Sequence, residues 1–557
     1  MPQQLTTLDY IVFLIYFFVV AGYGYWIYQR KKSTEASSTD FFLAEGSLTW
    51  WAIGASLIAS NISAEQFIGM SGDGFRMGLG ISTYEWMAAA TLVVVATFFM
   101  PIYLKNKIFT MPQFLRQRYN ETVSTTMAIF WLLLYIIVNL TSILYMGALA
   151  INTISGINFW FCMIALAVFA VIITLGGMKV IGFTDVIQVF FLILGGLATT
   201  YLALNLVSDK FNTTGVMNGL TSMMQQADDH FHMVFKKDNP NYLDLPGLTI
   251  MIGGMWIVNL NYWGCNQYIT QRALGADLPT ARNGILFAAF LKLMMPIIVV
   301  LPGIAAYVLY QNGEFHQEMT VDGAVRADRA YPVLLNLLPT GLKGLSFAAL
   351  TAAIVASLAG KANSISTIFT LDIYKKYINK EADEKTLVST GRLVVVVAMV
   401  IAIAISDFLG IEKGGFKFIQ EYTGFFSPGI FATFLLGFFW KRTTSAAALF
   451  AIVGGFILSI IFKFLPGWMD LSFLSPMGFA VVNPESGLYE IPFLDRMGFV
   501  FLICVLGMII LSLTDSKSKN NPKGLEIDPK MFRVSGSFAI GAATVVLILI
   551  VLYSRYW

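Results

Sequence analysis

The chain has 557 residues, 57% hydrophobic and only 12% charged, with a formal net charge of +3 and a mean hydropathy of +0.70. That balance excludes a soluble globular domain of this length and indicates a polytopic membrane protein. Near-neutral charge, with no basic run interleaved with stacking aromatics, gives no sign of a nucleic-acid partner. Cys162, Cys265 and Cys504 lie in or beside apolar runs without metal-ligand spacing, and His230, His232 and His316 fall in loops.

The first apolar run has neither a basic leader nor a small-residue cleavage site, so it reads as a retained span. In chain order the sequence predicts about fourteen spans of roughly 20 residues each. They lie near 9–28, 50–70, 81–104, 124–154, 158–176, 184–206, 247–268, 280–311, 344–374, 390–409, 418–439, 444–465, 495–514 and 534–554. The fold class is therefore all-α and membrane-spanning. Lys and Arg concentrate in the loops after odd-numbered spans: Arg30 to Lys32, Lys105 to Arg118, Lys375 to Lys385, Lys441 and Arg442, and Lys517 to Lys530. The positive-inside rule puts those loops in the cytoplasm and both termini outside a cell membrane. The loops 207–246, 312–343 and 466–494 then face outward.

The second span carries Ser56, Ser60, Asn61, Ser63, Glu65 and Gln66 at its centre. A carboxylate at bilayer depth costs a few kcal/mol, and irregular backbone there is tolerated only against a cavity or an ion. The stretch Gly54–Gly72 therefore reads as a helix broken around Asn61–Gln66, although a polar interhelical seam would use the same residues. The seventh span, Trp256–Gln267, has a similar polar interruption five spans later. Paired broken helices are the mark of a five-plus-five inverted repeat with a midplane site for a polar passenger. On this division, residues 1–47 hold a first extra span and its loop. The halves of the core occupy 48–210 and 247–440, joined by an outer loop 211–246, and further spans fill 441–557.

Glu85 in the third span and Lys292 in the eighth lie too deep to snorkel; a structural ion pair between them is one alternative. With Gln66, Asn259 and Gln420 they supply carboxylate, ammonium and amide groups, the mixed donors and acceptors that a polyhydroxylated ligand needs. Tyr262 offers an aromatic face for a sugar ring, though aromatics also fill cores. In the ninth span the small residues fit close helix packing. Ser357 and the carbonyl of Ala353 could also complete a cation site with the carbonyls of Ala59 and Ile62, since a small hard cation wants oxygen ligands. No histidine falls in a span and no carboxylate–histidine pair is evident, so nothing supports a membrane enzyme.

The motifs WWAIGASLIASNISAEQFIGMSG, STYEWM, GFTDVIQVFFLILGG, NYWGCNQYITQR, VVLPGIAAYV, NSISTIFTLDIYKKY and IQEYTGFFSPGI occur in that order. Together they make the chain resemble the sodium/solute symporters, and within them the sodium/glucose and sodium/galactose cotransporters. The resemblance runs from about residue 8 to 445 and more loosely beyond. It implies a leucine-transporter-type inverted-repeat core from the second span to the eleventh. It implies sugar contacts from Gln66, Glu85, Asn259, Lys292 and Gln420, with Tyr262 stacking beneath the ring as inner gate and Asn61 holding that tyrosine. It implies an outer gate of Met70, Tyr84 and Phe416, and sodium, the co-transported ion, held by Ala59, Ile62, Ala353 and Ser357. The partners implied are a small sugar, sodium and the lipid bilayer, with no obligate protein partner.

Some positions depart from the family's pattern. Ala88 stands where the sugar pocket carries a serine, and Ala356 replaces one of two adjacent serines at the sodium site. Where the family has a second sodium, its hydroxyl positions are Ala359 and Gly360 here, followed by Lys361. The resemblance thus suggests a second-cation region of Asp185 and Lys361, with Lys361 as a fixed cation and one sodium per sugar. The alternative is that Lys361 snorkels or faces an aqueous vestibule.

Overall fold

The computed structural model describes residues 5–30, 49–108, 110–175, 179–411, 414–525 and 527–557. Among these, nine helices are long and apolar enough to cross a membrane, and ten if the bent pair Gly415–Gly424 and Ser427–Phe439 counts as one span. The first and fifth expected spans appear as apolar helices of shorter qualifying length, Thr7–Val19 and Phe159–Thr174. Among the described residues, strand is confined to two short antiparallel pairs in loops, Thr320–Val321 with Ala324–Val325 and Val481–Val482 with Tyr489–Glu490.

Helix Leu278–Gln311 forms the central post and packs against Trp50–Asn61, Ser71–Met77 and Thr83–Val94. It approaches Trp50–Asn61 through glycines. A Cβ on Gly54 would meet the Gly284 carbonyl at 2.6 Å, and one on Gly284 would meet Ile53 Cβ at 2.8 Å. In a membrane, where lipid is as apolar as leucine, such close backbone approach drives association. Pro296 and Pro302 lie inside the post. Each lacks an N–H, so the carbonyl four residues back, Lys292 for Pro296, loses its ladder donor.

The second span breaks as expected but over a shorter stretch. Helix Trp50–Asn61 ends, Ile62 is extended (φ −73°, ψ 118°), and a π-helical turn Glu65–Met70 resumes the span. Within the expected interruption the seventh breaks only at the far end, and a further break precedes it at Gly253 (φ −125°, ψ −92°). Gly254–Cys265 is continuous through Asn259 and Asn261, and the chain turns at Asn266 (φ −100°, ψ 121°) before Gln267–Leu274. The helix survives because its amides are satisfied within it or beside it: Asn259 Nδ2 donates to Met255 O (3.1 Å) and Asn261 Nδ2 to Ser427 Oγ (3.2 Å). A bend that sequence reading did not anticipate lies in the eleventh span, where the two halves turn by 51°. Pro428 opens the second half and cannot donate to the first.

Connections sort onto two faces. On one, Met233 N donates to Tyr556 O (2.7 Å) and Tyr242 OH to Gly478 O (2.8 Å), gathering the loops 207–246 and 466–494 with the C-terminus. On the other, Lys376 pairs with Glu121 (2.5 Å) and buried Arg118 donates to the carbonyls of Gly437, Trp440, Lys441 and Thr443 (2.8–3.2 Å).

Candidate functional site

A cavity opens between the broken second span, the third, fourth, seventh, eighth and ninth spans and the bent pair. Its lining includes Gln66, Glu85, Asn259, Tyr262, Lys292 and Gln420, so every sugar contact expected from sequence borders one space. Glu85 and Lys292 are both buried, and Lys292 Nζ donates to Glu85 Oε2 at 2.5 Å. The ion pair and the cavity wall are therefore one feature. Lys292 also donates to Asn61 Oδ1 and lies 5.3 Å from the Trp263 ring centroid. Asn61 Nδ2 in turn donates to Tyr262 OH (3.2 Å). A polar relay thus runs from Glu85 through Lys292 and Asn61 to Tyr262.

Gln66 serves the break as well as the cavity. Its Oε1 accepts from Ser63 N (3.0 Å), which takes the donor that Ala59 O would use in a continuous helix. Gln66 N donates to Ser63 O (3.2 Å) rather than to Ile62 O. The carbonyls of Ala59 and Ile62 therefore lose their i+4 donors, as a cation site built from them requires. Across from them, helix Leu342–Thr367 carries Ala353 and Ser357. Thr351, Ser364 and Thr367 on this helix each turn a hydroxyl back to the carbonyl four residues earlier (2.9–3.1 Å). Ser357 Oγ is buried without a hydrogen-bond partner among the described residues. A withheld hydroxyl on a helix that packs against Trp50–Asn61, whose last carbonyls are loosened, suits a small monovalent cation, for which neutral oxygens suffice. No cluster of three or more His, Cys, Asp or Glu fit for a metal occurs among the described residues.

The residues expected to form the outer gate pack together. Tyr84 and Phe416 meet edge to face at 5.0 Å, both buried with Met70. The fit is tight: a Cβ on Gly69 would come within 2.9 Å of Phe416. Above the gate lies an ionic roof that sequence reading missed. Arg76 pairs with Asp73 (2.9 Å) and Asp244 (2.7 Å), Lys417 pairs with Asp244 (2.8 Å), and Asp328 Oδ2 accepts from Gly415 N (3.1 Å). Burial, first, and the neighbouring Asp73 push the Asp328 carboxyl up to about 7, against the Gly415 N–H and the positive charges of Arg76 and Arg326.

Lys361 is buried and donates to Asn139 Oδ1 (3.2 Å), with its ammonium over the rings of Tyr268 (5.2 Å) and Tyr135 (5.8 Å). Its electrostatic partner is Glu65. The side chain of Asp185 lies outside the described set, and with it the expected Asp185–Lys361 pairing. Ala88 lines the cavity as an apolar patch, and Ala359 and Gly360 are buried without hydroxyls to offer.

A many-spanned helical protein with a buried polar cavity and a broken helix beside it has the form of a secondary transporter. Comparison with known proteins specifies which kind. The model of the sodium:solute symporter family matches residues 41–455. The chain is 45% identical to the sodium/glucose cotransporter of Vibrio parahaemolyticus over 99% of both chains. It is 32% identical to the human sodium/myo-inositol cotransporter 2, covering 81% of this chain and 69% of that one. A solved structure of a sodium-coupled sialic acid symporter in a substrate-bound outward-open state superposes with a TM-score of 0.71 at 22% identity, covering 92% of this chain and 98% of that one; at that identity the likeness concerns the fold. The chain belongs to the sodium:solute symporter family, and sodium is its coupling ion.

Proposed function

We propose that this protein carries a neutral hexose into the cell together with sodium, by alternating access. The observation that carries the reading is the convergence of Glu85, Lys292, Asn259, Gln66 and Gln420 on one cavity, with Tyr262 tied to the same network through Asn61. A hexose hydroxyl both donates and accepts, and this wall offers both. An acidic substrate would face Glu85, which disfavours it. The sodium/glucose relative supports a hexose. The sodium/myo-inositol relatives support a cyclitol as the second reading, since a cyclitol presents the same ring of hydroxyls.

In this reading the two broken helices are counterparts in an inverted repeat spanning 48–210 and 247–440 within about fourteen spans. The lysine-rich face carrying Arg118 and Lys376 lies in the cytoplasm and both termini lie outside. Sodium at Ala59, Ile62, Ala353 and Ser357 braces the broken second span against the ninth and favours the outward-open state. Sugar then lets Tyr84, Phe416 and Met70 close. Departure of sodium releases the Asn61–Tyr262 hold and opens the other side. Coupling requires both ligands to prefer the same state, and the preference is reciprocal.

One sodium suffices energetically. A charge crossing 100 mV releases about 2.3 kcal/mol, and a tenfold sodium gradient adds about 1.4 kcal/mol. The sum supports roughly 500-fold accumulation. The test is a competition panel of glucose, galactose, mannose, fucose and myo-inositol against labelled glucose, in wild type and Glu85→Ala. A hexose as best competitor, with uptake abolished in the variant, supports the reading. Sugar uptake indifferent to Glu85→Ala would contradict it.

A further inference from the structure

Far from the cavity, the connection after the twelfth span has an unusual surface. That span, Ser445–Gly467, runs into a segment with no Lys or Arg from Phe464 to Asp495. Within it Phe464, Trp468, Met469, Phe473 and Met477 are exposed, Trp468 over 68% of its surface and Phe473 over 59%. The loop 207–246, which bonds to it, exposes only Met217 among large apolar side chains. So dense an exposed apolar cluster marks an interaction surface. We propose that the segment 464–477 is an interfacial anchor, lying in the headgroup layer of the leaflet on its own side of the membrane.

The occupant follows from what the patch continues. Only 33% of the apolar window of the twelfth span is buried within the protein, so lipid covers most of it. Ile457, Ile461 and Phe464 are exposed at steps of four and three residues, one stripe of the helix, and Trp468 is the next step along it. The patch is therefore continuous with a surface that lipid already covers. Its composition agrees. Trp and Phe settle where acyl chains meet headgroups, and Trp adds a polar edge for the wet side. Asp470 is the one charged residue from Phe464 to Pro484. It accepts from Ser472 N (2.9 Å) and Ser472 Oγ (2.6 Å), so its carboxylate is partly satisfied within the turn. With no basic residue, the segment has no special affinity for anionic headgroups. The segment is also fixed to the helix ends. Leu471, Ala480 and Ile491 form a small core of their own with Phe462 and Phe499 of the twelfth and thirteenth spans, and Phe479 meets Phe499 edge to face at 5.1 Å. It holds the loop 207–246 in turn: Lys237 Nζ donates to the carbonyls of Ser475 (2.5 Å) and Pro476 (3.0 Å), and Tyr242 OH to that of Gly478 (2.8 Å). Asp244, two residues past Tyr242, is the roof carboxylate that pairs with Arg76 and Lys417. An anchored segment thus gives the loop, and through Asp244 the roof, a fixed seat at the membrane.

Spin-label accessibility of the full-length protein in phosphatidylcholine nanodiscs, one chain per disc, tests this. Nitroxides are placed at Trp468→Cys, at Phe473→Cys and, as the aqueous reference, at Glu485→Cys, in a background of Cys162→Ala, Cys265→Ala and Cys504→Ala. Oxygen, which partitions into lipid, is expected to collide with the labels at 468 and 473 more often than a water-soluble nickel chelate does, with the order reversed at 485. The nickel chelate ahead at 468 and 473 would overturn the proposal. If it were then excluded there in discs holding two chains, the face would belong to a second copy. Should the cysteine-free chain fail to fold, wild type and Trp468→Phe decide. The emission lost on replacing Trp468, read as the difference between the two proteins, is expected to be quenched in phosphatidylcholine brominated near the headgroup end of its acyl chains. A difference untouched by bromine would overturn the proposal.

Discussion

Replacing Glu85 by Gln leaves Lys292 buried beside Asn61 and Trp263 with its counter-charge gone. Removing one partner of a buried ion pair costs about 3–5 kcal/mol, because the survivor keeps its desolvation penalty; replacing both partners by neutral groups of similar shape costs far less. The thermal midpoint in detergent, followed by tryptophan fluorescence, should therefore fall in Glu85→Gln and in Lys292→Met, and recover in the double variant. Binding should not recover. Each hydrogen bond from a sugar hydroxyl to a charged group is worth about 1.5–3 kcal/mol, which is roughly 10- to 160-fold in Kd. All three variants should bind labelled glucose at least tenfold more weakly than wild type. A double variant less stable than either single one would show that the two side chains do not act as one buried unit. A double variant with wild-type affinity would show that the pair is scaffold and does not touch sugar.

Three other outcomes follow from the site. Ser357→Ala should raise the sodium concentration for half-maximal sugar uptake by about tenfold, through loss of one hydroxyl ligand; an unchanged sodium dependence would remove Ser357 from the site. Asn61→Ala frees the Tyr262 hydroxyl, and sugar efflux without sodium should rise several-fold from preloaded vesicles; unaltered efflux would show that this contact does not hold the gate. The roof should close more readily in acid. The Asp328 carboxyl titrates near 7 when buried, against 3.8 ordinarily, so the closed form binds its proton more tightly. Closure is then disfavoured as pH rises from about 4 to 7 and levels off above. Labelling of Ala88→Cys by an impermeant thiol reagent, in a Cys265→Ala background, should slow between about pH 7.5 and 5.5 by more than the loss of thiolate accounts for, and that excess should vanish in Asp328→Asn. A pH dependence unchanged by Asp328→Asn would assign it to another group.

Much of the site was legible because the bilayer makes polar residues conspicuous. Glu85, Lys292 and the Asn61–Gln66 run stood out at depths where only function or pairing justifies them. The break in the second span followed from the same argument, and the structure adds its means, the Gln66 side chain taking the donor that Ala59 would have used. The intact helix around Asn259 and Asn261 was misread because a side-chain amide that bonds back to its own helix looks the same in sequence as one that opens it. The roof of Asp73, Arg76, Asp244, Asp328 and Lys417 escaped notice because its members come from separate loops and helix ends. Charges near the aqueous phase are unremarkable one by one. Lys361 was visible as an oddity, but its contacts with Asn139 and Tyr268 depend on how the fourth, seventh and ninth spans pack.

The most direct test of the account is uptake of labelled glucose and galactose into proteoliposomes under an inward sodium gradient, with potassium as the control and sodium entry followed in parallel. The account predicts accumulation that requires sodium, rises with a negative interior potential, and takes in one sodium per sugar. Equal uptake in potassium, or uptake that only equalises the sugar across the membrane, would contradict it.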